Sequence, residues 1–120
     1  SSLGTALGYS SGIFSFPSTG HYLLTFGCRF HCSSGNDGSM IVYLQVTENN
    51  SSYSDASLTN YGAQEGDTKA TGSITYAFDI TDISNQKFKF VTDSFGSSSQ
   101  LMGASTQNHT YFQIVRLADT

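Results

Sequence analysis

The stretch His21-Tyr22-Leu23-Leu24-Thr25-Phe26-Gly27-Cys28-Arg29-Phe30 decides the fold. Tyr22, Leu24, Phe26, Cys28 and Phe30 fall on one side of an extended chain, and His21, Leu23, Thr25, Gly27 and Arg29 on the other. That period of two, apolar on one side only, is the signature of a half-buried strand. Turn chemistry flanks it: Pro17-Ser18-Thr19-Gly20 before, and Ser33-Ser34-Gly35-Asn36-Asp37-Gly38 after. Met40 to Thr47, with Val42, Leu44 and Val46 on one side, then returns as the second arm of a hairpin.

The alternation repeats outward from this hairpin. Past the polar turn Glu48-Asn49-Asn50-Ser51-Ser52, the segment Tyr53 to Asn60 reads as a weaker strand, and Gly62 to Thr68 as a loop. Gly72, Ile74, Tyr76 and Phe78 alternate with Ser73, Thr75, Ala77 and Asp79, and Phe88 and Phe90 with Lys87 and Lys89. Asp93 to His109 is rich in Gly, Ser and Asn, interrupted by Leu101-Met102, and Thr110 to Leu117 closes the chain as a strand. Short strands at regular spacing without a helical stretch predict an all-β sandwich or jelly roll, and 120 residues predict one domain over 1–120.

Ser and Thr supply 33 of the 120 residues while only 12% are charged, so hydroxyls rather than ions provide the polarity, as strands and turns require. Arg29, Lys69, Lys87, Lys89 and Arg116 are scattered and outnumbered by nine acidic residues, a distribution that disfavours nucleic acid. No apolar run approaches the ~20 residues of a membrane helix. Cys28 and Cys32 lie four residues apart in one strand, about 13 Å at ~3.3 Å per residue, too far for a disulfide.

Phe14, five residues, Gly20, and then Tyr22, Leu24 and Phe26 at alternate positions resemble the signature of complement component 1q globular heads, with Leu24 in place of its middle aromatic. Leu7 occupies the position of a large apolar residue upstream, whereas Ser2 stands where the signature has Asn or Asp. The ending Thr110-Tyr111-Phe112-Gln113-Ile114-Val115-Arg116-Leu117-Ala118-Asp119-Thr120, with Ile83-Ser84-Asn85 before it, is similar to versions at the tips of phage and marine-virus fibres. The resemblance implies a ten-strand jelly roll of the complement-1q and tumour-necrosis-factor type, a homotrimer at the C-terminal end of an N-terminal stalk, without catalysis or cofactor. It implies a receptor-binding head on a virion surface, engaging a host-surface glycan or protein. The alternatives are a secreted complement-like or cytokine-like ligand and a structural trimerisation cap.

In that superfamily the Tyr22 strand lies in the sheet facing the threefold axis. The resemblance therefore assigns Leu23, Thr25, Gly27, Arg29 and His31 to subunit contacts, with Thr75, Ala77, Asp79, Tyr111 and Gln113, and an Arg29–Asp79 pair is conceivable. Gly27 suggests a close approach of another surface. An ordinary solvated sheet face is the alternative for the same pattern. Strand alternation sends the loops Ser33 to Gly38, Tyr61 to Thr68 and Asp93 to His109 to the end distal from the stalk. Asn36, Asp37, Tyr61, Gln64, Glu65, Asp67, Phe95 and Gln100 are the candidate receptor-binding residues there.

Four further patterns carry little weight. Gly8-Tyr9-Ser10-Ser11-Gly12 matches the G-x-S-x-G nucleophile elbow, but no helix follows it. In an extended strand His31 points away from Cys28 and Cys32, which argues against a zinc site. Asp37, Glu65, Asp67 and Asp93 offer carboxylates for calcium without calcium-loop spacing. Asn49, Asn50 and Asn108 head glycosylation triplets that matter only on a secretory route.

Overall fold

The computed structural model describes residues 5–103, 107 and 109–120. Among them are nine strands, against the ten that the resemblance implies: β1 (Gly8–Ser10), β2 (Ile13–Ser15), β3 (Gly20–Cys32), β4 (Asp37–Thr47), β5 (Tyr53–Ala63), β6 (Thr68–Ile80), β7 (Lys87–Asp93), β8 (Ser99–Leu101) and β9 (Tyr111–Ala118). One sheet has the order β1-β2-β7-β4-β5; the other has β3 at its centre, with β6 on one side and both β8 and β9 on the other. All pairings are antiparallel.

The structure lengthens several predicted strands. β5 reaches Ala63, so Tyr61 lies within a strand rather than at the start of a loop. A short strand, β8, forms in the segment read as loop; three paired residues are too few for alternation to reveal. Ser11 and Gly12 join β1 to β2 with positive φ at both positions, 52° and 83°, as a two-residue type I′ hairpin requires. The G-x-S-x-G pattern is therefore the tip of a hairpin, and Ser10 is a strand residue.

The even-numbered side of β3 meets the inner faces of β4 and β7. Leu24, Phe30, Met40, Leu44 and Phe88 are fully buried, and truncating one of them to Ala costs about 2–5 kcal/mol. Phe14, Phe16, Phe78, Phe88, Phe90 and Phe112 form a contiguous aromatic cluster, with ring centroids 4.8–6.4 Å apart in the pairs that join them. Cys28 and Cys32 both point into this core as free thiols, and burial pushes the Cys28 thiol up to about 11 against the opposing pull of a backbone hydrogen bond at Gly72.

Gly20, the glycine of the signature, has a structural reason. Its φ is +149°, and a Cβ there would come within 2.8 Å of the Ala118 carbonyl and 2.6 Å of Arg116 Nε. The Arg116 side chain uses that space to donate from Nε and Nη2 to the Thr19 carbonyl, at 3.2 and 3.0 Å, which ties the end of β9 to the start of β3.

Candidate functional site

Two surfaces gather the candidate residues. The first is the odd-numbered, outward face of β3 with its neighbours. Leu23 lies between Ala77 of β6 and Val115 of β9, Thr25 between Thr75 and Gln113, and Gly27 between Ser73 and Tyr111. Further along, Arg29 opposes Thr71, and His31 lies between Lys69 and Gln100. The register thus brings all ten residues assigned to subunit contacts onto one face.

Within it the apolar groups are concentrated at one end: Leu23 is 36% exposed, Val115 53% and Tyr111 40%. Val115 was not among the candidates. In Gln113-Ile114-Val115-Arg116-Leu117 three apolar side chains cluster, so sequence alternation does not say which of them face inward; pairing with Leu23 does.

Two expectations about this face change. Asp79 opposes His21, 3.8 Å away, and lies eight residues of register from Arg29, so the conceived Arg29–Asp79 pair does not form within the chain. Gly27 is small because of its own chain: a Cβ there would come within 2.8 Å of the Tyr111 ring, which lies across the glycine. Close approach at Gly27 is thereby explained without another subunit.

The second surface is the end of the sandwich where the β3–β4, β5–β6 and β7–β8 connections meet. Ser33 N donates to the Ser98 carbonyl at 2.8 Å, and the Asp37 carboxylate accepts from Ser99 Oγ at 2.6 Å and Gly96 N at 2.9 Å. Those two donors hold the Asp37 carboxyl below the usual range, the Ser99 hydroxyl most strongly. These bonds set the β3–β4 and β7–β8 connections side by side, and Gly66 of the β5–β6 connection packs against Ser34, whose Cα an added Cβ would meet at 2.8 Å.

The candidate residues there divide. Asn36, Gln64 and Glu65 are exposed on this end. Asp67 is exposed but engaged, 3.3 Å from Lys69 Nζ and 3.4 Å from His31 Nε2, and these contacts lower its pKa, Lys69 first. Tyr61 and Phe95 turn inward, each with its ring centroid 6.1 Å from that of Phe30, so they cap the core rather than present aromatic rings to a partner. Gln100 belongs to β8 beside His31, on the sheet face. Loop composition marks where aromatics occur, but an aromatic beside a strand end finds the core first.

Among the described residues no three His, Cys, Asp or Glu side chains come together in a group able to hold a metal ion. Among them, too, no helix is long and apolar enough to cross a membrane.

No family model matches the chain, and no curated protein matches it. Solved structures do. The chain is similar to Eiger TNF from S. frugiperda, with a TM-score of 0.65 and 14% identity over 90% of this chain and 66% of that one. It is also similar to murine APRIL at pH 5.0, with a TM-score of 0.67 and 17% identity over 96% of this chain and 80% of that one. For murine APRIL at pH 8.0 the TM-score is 0.66 and the identity 17%, over 96% and 77%. The chain spans just under two thirds of the length of the Eiger TNF chain. Its fold is the TNF-like jelly roll, a two-sheet all-β sandwich.

Proposed function

We propose that this domain is a homotrimeric, non-catalytic binding head that assembles through the outward face of β3, β6 and β9 and engages its partner through the opposite-end loops. The observation that carries the reading is the exposed Leu23–Val115 pair, flanked by Ala77, on a continuous sheet face with little charge at its centre. An exposed apolar row on a solvated sheet face marks a contact surface, and a TNF-like fold supplies the architecture in which copies of that face meet around a common axis. Threefold display multiplies weak contacts at the loops.

The loop end offers Asn36, Gln64 and Glu65 together with the Ser33, Ser34 and Ser97 hydroxyls, without an exposed aromatic among its candidates. Such a surface suits a hydrogen-bonding host-surface glycan or a polar protein epitope. The resemblance of the closing segment to fibre tips supports a stalked viral or phage fibre head on a virion surface. Eiger TNF and murine APRIL share this fold, which favours the second reading, a secreted cytokine-like ligand.

Sedimentation at micromolar concentration tests the assembly: a trimer is expected for the parent chain, and a folded monomer for Leu23→Lys. A parent chain that stays monomeric would exclude the reading. Glycan arrays and host-cell adsorption, compared between the parent and Gln64→Ala/Glu65→Ala, test the loop end; unchanged binding would remove these residues from it.

A further inference from the structure

The outward face of the β3 sheet divides by charge. Arg29, His31, Lys69 and Asp67 gather at the end toward the β3–β4 connection, and His21 and Asp79 lie at the other. Between them are Leu23, Thr25, Gly27 and their partners on β6 and β9, none of them charged.

Two of these groups keep unused bonding capacity within the chain. Arg29 is half-buried, and among the described residues its guanidinium makes no hydrogen bond and no ion pair; only its backbone does. Asp67 receives Lys69 Nζ at 3.3 Å and His31 Nε2 at 3.4 Å on a single carboxylate oxygen, Oδ1, and among the described residues nothing donates to Oδ2. A carboxylate accepts about four donors, and a guanidinium presents its own in a planar fork that fits one. Asp67 precedes β6 with φ at +57°, a left-handed conformation that Asp tolerates, and its side chain lies back over the His31–Lys69 rung while remaining 81% exposed. A partner can therefore reach it. Within one chain the His31–Lys69 rung stands between Asp67 and the Arg29–Thr71 rung.

Height along the strands selects the partner between copies. A threefold head that displays its loops at one end has its strands running along the axis, so each residue keeps its height from one copy to the next. Asp79 lies eight residues of register from Arg29, about 26 Å at ~3.3 Å per residue, beyond the reach of a side chain. The Asp67 carboxylate, held at the His31–Lys69 rung, is two residues from Arg29, about 7 Å, which a guanidinium on its methylene stem covers. Copies closing around the axis also bring their Arg29 side chains toward one another, and a cation taken from water without a counter-charge is strongly destabilising.

We propose that Arg29 of one copy pairs with Asp67 Oδ2 of the next, an ion pair between subunits at the loop end of the outward face; the proposal rests on the self-assembly reading above. Lys69 and His31, bound to Oδ1, hold the carboxylate in place for the incoming guanidinium. Asp67 then belongs to assembly rather than to receptor binding, and the pair fixes the register of a contact whose apolar part is the Leu23–Val115 row.

The test is a double-mutant cycle on the concentration at which the trimer dissociates, followed by sedimentation. Arg29→Met and Asp67→Asn remove the charges, and Asn keeps an acceptor oxygen for Lys69 and His31. Each single variant should raise the dissociation concentration about tenfold or more, and the combination should raise it little further. Additive losses, or none, overturn the pair. Should Arg29→Met fail to fold, judged by circular dichroism, the salt response decides. The dissociation concentration of the parent should then rise between about 0.05 and about 0.5 M salt, and that of Asp67→Asn should stay level or fall; equal responses reject the pair. A parent chain that stays monomeric refutes the self-assembly reading itself, whereas a parent trimer with unaffected variants refutes only the Arg29–Asp67 pair.

Discussion

The two ends of the sandwich are closed by the same device made of different chemistry. At the end carrying the β4–β5 and β6–β7 turns, the clamp is Gln86, 9% exposed. Its amide oxygen accepts from Thr81 N and Asp82 N at 2.7 and 2.8 Å, and its nitrogen donates to the Glu48 carboxylate at 2.7 Å and to the Asp79 carbonyl at 3.3 Å. At the opposite end Asp37 accepts from Ser99 Oγ, Gly96 N and, at 3.3 Å, Ser39 N. One clamp is a buried neutral amide that both donates and accepts; the other is a carboxylate that only accepts and lies closer to water. A buried amide cannot be removed without stranding backbone groups, whereas donors near solvent find water instead. The difference teaches where the fold tolerates change: at the loop end, where partner binding is proposed.

Breaking the clamps one at a time measures that difference. Gln86→Leu removes the acceptor for two backbone N–H groups, and the expected loss in urea unfolding is about 2–4 kcal/mol. Asp37→Ala should cost about 1 kcal/mol, since solvent replaces much of what the carboxylate gave. Equal losses at the two positions would show that the loop end is as firmly built as the other and that the contrast does not hold.

The clamps also mark the limit of what the sequence discloses. Alternation in β3, β4, β6 and β7 is unbroken because one face of each meets the core, and the order of strands and the clustering of loops follow from it. All ten subunit-contact candidates share a face for the same reason: period two is a statement about sides. Partners within a side are another matter. Arg29 and Asp79 share a face yet stand far apart, because register depends on where β6 begins, and the alternation of Gly72 to Asp79 does not contain that. Tyr111 over Gly27 required the pairing of β9 with β3 across more than eighty residues of chain. β8 lies in a segment that reads simply as loop, since a three-residue strand carries no periodicity. Gln86, the most connected polar side chain of its end, carries no sequence signal beyond lying next to Lys87.

Acid sharpens the comparison with the smallest perturbation. The Asp37 pKa is depressed in the folded state, by the Ser99 hydroxyl first and the Gly96 amide next, so its contribution is fully present above the unfolded carboxylate value of about 3.9 and is lost as pH falls through the lower folded value. Thr81 and Asp82 amides are held by the neutral Gln86 oxygen and have no such dependence through that bond. Ser84, whose amide is held by the similarly depressed Asp82 carboxylate, belongs with the acid-sensitive set. Amide exchange followed by NMR from about pH 5 to about pH 3, corrected for intrinsic rates, should therefore show protection falling at Gly96, Ser39 and Ser84 while Thr81 and Asp82 keep theirs. Asp37→Asn retains an acceptor oxygen without the charge, and in that variant the Gly96 response should flatten while the Ser84 response remains. A Gly96 response that persists in Asp37→Asn would assign the acid sensitivity of this end to another group, with Asp67 and its contacts to Lys69 and His31 next in line.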